Sequence, residues 1–135
     1  MTRHTRGACA VIGLAAVALM VASGSAGATR AIAVPSKVSI KSSSLHFTGQ
    51  VSTGAYEPCE QQRKVVLFKV ISGGPDQAVG RATTSNHGAW SITPQGSAGI
   101  SLASFYATVK KSSQGTAGTI YVCNAGRSRV VKPTS

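Results

Sequence analysis

Acidic residues are scarce in this 135-residue chain, which has three Asp and Glu against 14 Lys and Arg. Glu57, Glu60 and Asp76 are the only carboxylates, which argues against a paired-carboxylate catalytic site and against a calcium site built from acidic ligands. Three cysteines are too few for a disulfide-dense mini-scaffold. Aromatic residues make up only 5% of the chain, so we expect a thin core and one small domain.

Motifs that carry chemistry are missing as well. Neither the Gly-x-Ser-x-Gly nor the Ser-x-x-Lys nucleophile motif occurs in the chain. The sequence therefore predicts a protein that is not an enzyme and that uses no cofactor and no metal. The alternative is a small-ligand-binding or hydrolytic protein with a pocket between its sheets or in an oligomer.

The N-terminal residues 1–28 have the order of a signal peptide. Arg3 and Arg6 precede an uncharged apolar run, 8–22, and the small residues Ala26-Gly27-Ala28 follow it. We predict cleavage after Ala28 and export by the general secretory route, which places the protein outside the cell or in the cell envelope. The alternative is an uncleaved membrane anchor, although the run is shorter than the roughly 20 residues of a spanning helix.

Two cysteines, Cys59 and Cys123, lie beyond the predicted cleavage site. In an exported protein such a pair predicts a disulfide, because the compartment outside the cytoplasm is oxidising. The alternative is a metal site that adds His46 and His87, but no two of these four residues have the short spacing that zinc sites favour.

Short segments of alternating hydrophobicity predict an all-β domain over residues 37–135, after a polar leader, 29–36. The strongest strand signal is 64–71, which is rich in β-branched residues and ends at the Gly- and Pro-containing turn 72–76. Seven or eight such strands predict a single antiparallel two-sheet β-sandwich.

Two further details follow from the same alternation. The loop 85–88 is predicted to join strands 79–84 and 89–92 as a hairpin. Trp90 and Ile92 alternate after that loop, so we expect a buried indole. The last two strands are predicted at 119–123 and 128–131.

Five short strings follow one another along the chain, and they are Phe47-x-Gly49-x-Val51, Arg63-Lys64-Val65-x-Leu67, Val79-Gly80-x-Ala82-Thr83-Thr84, Asn86-x-Gly88-x-Trp90-x-Ile92 and Tyr106-x-x-Val109. In this order they resemble the transthyretin-like (prealbumin-like) sandwich of carboxypeptidase regulatory-like domains and bacterial Ig-like extracellular domains. The chain departs from the pattern at Ser85, where an Asp is usual, and at Ser104-Phe105, where Gly precedes the Tyr. The resemblance implies a noncatalytic extracellular module. The Tyr-Arg-Gly-Ser ending of the hydrolase branch is missing.

Positive charge is the feature that points to a partner, since the formal net charge is +11. We expect an anionic cell-wall polymer, an acidic polysaccharide, phospholipid headgroups or a surface protein. Specific nucleic-acid binding is not expected, because aromatics that stack bases are scarce. The alternative is that the charge only keeps the domain soluble. The predicted anion-binding residues are Arg63, Lys64, Lys110, Lys111, Arg127, Arg129 and Lys132.

Overall fold

The computed structural model describes residues 29–54, 56–95 and 102–134, and these residues form an all-β fold. The predicted signal peptide, 1–28, lies outside the described residues. A single turn of 3-10 helix, Glu57–Cys59, separates β4 from β5. The strands are β1 (Arg30–Val34), β2 (Lys37–Val38), β3 (Lys41–Ser43), β4 (His46–Ser52), β5 (Lys64–Lys69), β6 (Gln77–Thr83), β7 (Ala89–Ile92), β8 (Phe105–Val109), β9 (Ser112–Thr116), β10 (Thr119–Cys123) and β11 (Gly126–Arg127). Over the described ranges, no helix has the length and apolarity needed to cross a membrane.

Two sheets pack face to face, which confirms the predicted β-sandwich. The first sheet has the order β11-β8-β5-β6. Strand β4 is central in the second sheet. β2 and β3 pair with one edge of β4, and β7 pairs with its other edge. All strand pairs in both sheets are antiparallel.

The core lies between these two sheets and follows from the alternation along their strands. Phe47 and Val51 of β4 point inward, as do Val65 and Leu67 of β5, and each of these four side chains is fully buried. The rings of Phe47 and Phe105 lie 4.8 Å apart across the sandwich. Burial of each such side chain stabilises the fold by about 1.5–3 kcal/mol relative to exposure.

Trp90 lies in this core with 4% of its surface exposed, in agreement with the alternation seen in the sequence. Its indole packs against Gly49, which is its partner across the β4–β7 pair. A Cβ added to Gly49 would lie 2.0 Å from the backbone oxygen of Ser39 and 2.6 Å from the Trp90 ring. Only glycine fits this position without displacing the strand or the indole.

Gly49→Ala is expected to lower the free energy of unfolding by about 1–3 kcal/mol, because the added methyl overpacks the core. Thermal unfolding measures the loss, and the emission of Trp90, the only tryptophan in the chain, reports the displaced indole. Gly74→Ala is the control, since its nearest neighbour would be an Ile71 methyl at 3.6 Å. Equal stability of the two variants would contradict the packing of Trp90 on Gly49.

A third sheet of order β1-β10-β9 holds the segment that the sequence predicts as a polar leader. Arg30–Val34 within that segment is strand β1, which pairs in parallel with β10 from Arg30↔Thr119 to Val34↔Cys123. The partner lies nearly the whole domain away along the chain, so local sequence carries no signal for the pairing. The segment predicted as a polar leader at 29–36 thus contains a paired strand that the sequence analysis did not assign.

Two connections also differ from their predictions. β6 pairs with β5 whereas β7 pairs with β4, so the loop 85–88 crosses from one sheet to the other and is not a hairpin. Gly88 directs this crossing, because its carbonyl accepts a hydrogen bond from Val51 N at 2.8 Å. At the C-terminus the paired strand is β11. The predicted strand 128–131 is not a strand of its own, and it contributes a bridge from Val131 to Phe105 and a hydrogen bond from Ser128 N to the Ala107 carbonyl.

Candidate anion-binding site

The predicted disulfide between Cys59 and Cys123 is present, with a Cα–Cα distance of 5.3 Å. It ties the 3-10 helix to the end of β10, and both cysteines are fully buried. Because the two sulfurs are bonded to each other, neither is available as a thiolate, and the alternative zinc site with His46 and His87 does not form. In the described part of the chain, no three His, Cys, Asp or Glu side chains gather closely enough to hold a metal ion.

Arg63, one of the seven predicted anion-binding residues, is 1% exposed and therefore unavailable to a surface ligand. Its guanidinium donates hydrogen bonds to main-chain carbonyls instead. Nη2 contacts the oxygens of Lys110 and Asn124, each at 2.9 Å, and Nη1 contacts the oxygen of Cys59. Among the described residues no carboxylate bonds to this guanidinium, and burial lowers the pKa of Arg63 from its ordinary value. The residue is a structural clamp beside the disulfide, which corrects its predicted role.

The outward face of the first sheet gathers other cations in a row that crosses four strands. The register places Arg127 of β11 beside Thr108, Thr108 beside Val66, and Val66 beside Arg81 of β6. Val65 points into the core, so its neighbour Val66 and the residues in register with it lie on the opposite, outer face of the sheet, where the Val66 side chain is itself covered and only 4% exposed.

A second outward row lies one step further along the strands. Lys64 pairs with Thr83, and Lys110 N donates to the Lys64 carbonyl at 3.2 Å. Both lysine side chains are exposed. We define the basic sheet face as the four exposed cations of the two rows, which are Lys64, Arg81, Lys110 and Arg127.

A cavity of about 300 Å³ opens on the basic sheet face. Three of the four cations, Lys64, Arg81 and Lys110, line it together with Thr83 and Val66. A positive potential builds up in such a concave surface, because the low-dielectric protein wall focuses the field of the charges. The cavity therefore suits an anionic group that accepts hydrogen bonds.

At its other end the basic sheet face borders an aromatic pair. The Arg127 guanidinium lies 3.8 Å above the ring of Tyr106, which stacks on Phe68 at 5.3 Å. Tyr106 Oη donates a hydrogen bond to Asp76 Oδ2 at 2.7 Å, and Ile71 N donates to Oδ1 at 3.1 Å. Both bonds lower the pKa of Asp76, and the bond from Tyr106 has the larger effect. The bond between Tyr106 and Asp76 also raises the pKa of Tyr106. Asp76 is thus held as a charged acceptor by its own neighbours.

The Tyr106–Asp76 bond is expected to make the stability of the protein depend on pH in acid. Folding lowers the pKa of Asp76 below its ordinary value of 3.8, so its contribution to stability is complete above that pH and is lost as the pH falls through the folded pKa. We expect Asp76→Asn to flatten the decline of the melting temperature in acid. Tyr106→Phe, which removes the donor, should flatten it too. Wild-type slopes in both variants would contradict this assignment.

The remaining predicted residues are exposed but lie outside the cavity. Lys111 occupies the connection between β8 and β9. Arg129 and Lys132 belong to the C-terminal segment that runs along the edge of β8, where Ser128 N donates to the Ala107 carbonyl at 2.8 Å. The structure thus brings Lys64, Lys110 and Arg127 to one face, and the cavity on that face is not lined by Lys111, Arg129 or Lys132.

Sequence reasoning missed Arg81, because its orientation depends on an irregularity in the β5–β6 pair. The register shifts between Leu67 and Phe68, so that Leu67 pairs with Gly80 whereas Phe68 pairs with Ala78. In a regular hairpin, Val65 would pair with Arg81 and turn it toward the core. The bulge reverses that orientation and delivers the cation to the outer face.

His46 takes part in a separate polar cluster on the second sheet. Its Nδ1 lies 2.9 Å from Thr93 Oγ1, and its Nε2 lies 2.9 Å from Ser91 Oγ. Nucleophilic catalysis needs an activated hydroxyl and donors for the developing oxyanion. Here two hydroxyls hold the imidazole on an exposed strand face, and none of the carboxylates in the described ranges bonds to it. We therefore interpret His46 as a surface residue that links β4 to β7.

The chain matches no protein-family model and no curated protein.

Proposed function

We propose that this protein is a secreted or cell-envelope, noncatalytic β-sandwich module whose basic sheet face binds an anionic envelope polymer, either a wall polymer or an acidic polysaccharide. One observation carries the proposal: Lys64, Arg81 and Lys110 converge on a single cavity of about 300 Å³. Glu57 and Glu60 do not pair with these cations, because Glu57 lies in the 3-10 helix and Glu60 directly follows it.

The spacing of the cations favours a polymer over a single small anion. Neighbouring strands lie about 4.8 Å apart, so Arg127 and Arg81, which are separated by two intervening strands, lie roughly 14 Å apart at their backbones. One phosphate or carboxylate cannot span that distance. A chain with repeated negative charges occupies the cavity and reaches Arg127 at the same time.

The donor types suit phosphate or carboxylate groups. The Arg81 guanidinium offers a planar pair of N–H donors for two oxygens of one anionic group, whereas Lys64 and Lys110 act as point charges. The Thr83 hydroxyl in the cavity lining adds a donor or acceptor for a sugar hydroxyl. Nucleic acid fits less well, because Phe68 and Tyr106 are stacked on each other and Tyr106 is covered by Arg127.

Two further points support an extracellular module. The Cys59–Cys123 disulfide is compatible with an oxidising compartment. The ordered strings from Phe47 to Val109 resemble transthyretin-like and Ig-like extracellular domains, in which such sandwiches are usually binding or structural modules without activity.

Binding to two labelled polyanions, polygalacturonate and polyphosphate, tests this function. Replacing Lys64, Arg81 and Lys110 by Gln should weaken binding by roughly 10- to 100-fold at low salt, since each exposed ionic contact contributes about 0.5–1 kcal/mol. Binding of the unchanged protein should also fall as salt rises to 0.5 M. The two polymers separate carboxylate from phosphate recognition.

A matched control separates the site from net charge. Arg30, Lys37 and Lys41 are exposed cations on β1, β2 and β3, and their replacement by Gln removes the same charge from other parts of the fold. This control should retain binding within about threefold. Equal losses in the two triple variants would show that net charge alone holds the polymer and would contradict a site on the basic sheet face.

The alternative function, a small-ligand carrier or hydrolase with a pocket between the sheets, has less support. In the described part of the chain, the ten buried side chains of the core cluster are each at most 4% exposed and pack between the two main sheets. A carrier of this kind would bind uncharged ligands with little dependence on salt, which the same titration detects.

A further inference from the structure

Among the residues that the structure describes, five large hydrophobic side chains are exposed, and the backbone contacts place four of them at one end of the sandwich. That end is opposite the disulfide, and we define it as the apolar tip. Its exposed side chains are Leu45, Val70, Leu102 and Val130, with exposed fractions of 38%, 36%, 89% and 49%.

The backbone contacts place these residues together at the tip. Val70 N donates to the Ser104 carbonyl at 2.8 Å, which joins the end of β5 to the segment that carries Leu102. Val131, the neighbour of Val130, exchanges two hydrogen bonds of 2.8 Å with Phe105 at the start of β8.

Leu45 reaches the same end from the other sheet. It precedes β4, and the ring of Phe47 in that strand lies 4.8 Å from the ring of Phe105. Ser44 N also donates to the Thr134 carbonyl at 3.0 Å, which ties the β3–β4 turn to the C-terminal segment.

Cations border the apolar tip. Lys69 ends β5 next to Val70, Arg129 precedes Val130, and Lys132 follows Val131 in the C-terminal segment. The one acid at this end, Asp76, is occupied by hydrogen bonds from Tyr106 and Ile71. Protruding apolar side chains with a border of positive charge are complementary to a bilayer that has anionic headgroups.

We infer that the apolar tip docks on an anionic lipid bilayer, with Leu102 entering the headgroup boundary and Arg129 and Lys132 contacting lipid phosphates. This surface is distinct from the basic sheet face, and it does not depend on the polymer site. Leu102 is the anchor because it is by far the most exposed of the four apolar side chains. Its transfer from water into the bilayer provides the apolar part of the affinity.

Cosedimentation with phosphatidylglycerol vesicles tests the inference. Leu102→Ser should weaken vesicle binding by about tenfold or more. Replacing Arg129 and Lys132 by Gln should weaken it by roughly fivefold for each charge. Because these side chains are exposed, the variants should keep the wild-type melting temperature. All variants are made as residues 29–135, the product of the predicted cleavage after Ala28, so that the apolar run 8–22 does not bind the vesicles in place of the tip.

Ile120→Ser is the matched control, because Ile120 is a 40% exposed apolar residue on the third sheet, away from the tip. It should bind vesicles as the unchanged protein does. A second readout uses Leu102→Trp with brominated lipids, which quench a tryptophan only when it enters the bilayer. The quenching should exceed that of the buried Trp90 alone.

Several results would overturn the inference. These are no binding to anionic vesicles, equal binding to vesicles of neutral phosphatidylcholine, or the same loss for Leu102→Ser and Ile120→Ser. If replacing Lys64 and Lys110 by Gln abolishes vesicle binding while Leu102→Ser retains it, the lipid contact belongs to the basic sheet face. Failure of polygalacturonate and polyphosphate binding would affect only the proposed polymer function.

Discussion

Replacing both Cys59 and Cys123 by Ser is expected to lower the free energy of unfolding by about 4 kcal/mol. The bond joins residues 64 positions apart, and the chain-entropy model gives that value for a loop of this length. The double change avoids leaving a lone reactive thiol in the buried site. Chemical denaturation of the wild-type and variant proteins measures the difference, and a loss below about 1 kcal/mol would contradict the role of the bridge.

Arg63→Met is expected to cost about 3–5 kcal/mol, because it leaves several buried carbonyl oxygens without donors. Lys64→Met is the control at the adjacent exposed position, where the same substitution should change stability by less than about 0.5 kcal/mol. Arg63→Lys should fall between the two, since a single ammonium cannot reach all the carbonyls that the guanidinium contacts. An Arg63→Met protein as stable as the control would contradict the clamp.

The stabilising effects of the Cys59–Cys123 disulfide and of the Arg63 hydrogen bonds are expected to be coupled. Arg63 donates to the carbonyls of Cys59 and Cys123, the residues that the disulfide joins. Once the bridge is lost, these carbonyls are no longer held in place, and the clamp stabilises less. The sum of the stability losses measured for the double cysteine variant and for Arg63→Met should therefore exceed the loss in the variant that combines these changes.

The sequence predicted the fold class because two-residue alternation carries most of the information for a half-buried strand. Phe47, Val51, Trp90 and Ile92 point inward as their alternation indicates. Strand partners were less accessible, since pairing is set by contacts far apart along the chain. β1 pairs with β10, which lies near the other end of the domain sequence, and β7 pairs with β4 and not with β6.

For the same reason, the sequence predicted only part of the candidate site. Charge counting identified Lys64, Lys110 and Arg127 but treated Arg63 as their equal, because the sequence does not show that the guanidinium enters the interior. Position 63 differs from position 64 by one step of the strand period, which separates a buried clamp from an exposed cation. Arg81 was missed because a bulge, invisible in the composition, turns it outward.

The most direct test of the basic sheet face is a titration of the isotopically labelled protein with polygalacturonate, followed by amide chemical shifts. We predict shifts at Lys64, Val66, Arg81 and Thr108, which lie in the two outward rows of the first sheet. The amides of β2, β3 and β7 in the second sheet should stay unchanged. Shifts confined to the second sheet, or none at polymer concentrations that saturate binding, would contradict a polymer site on the basic sheet face.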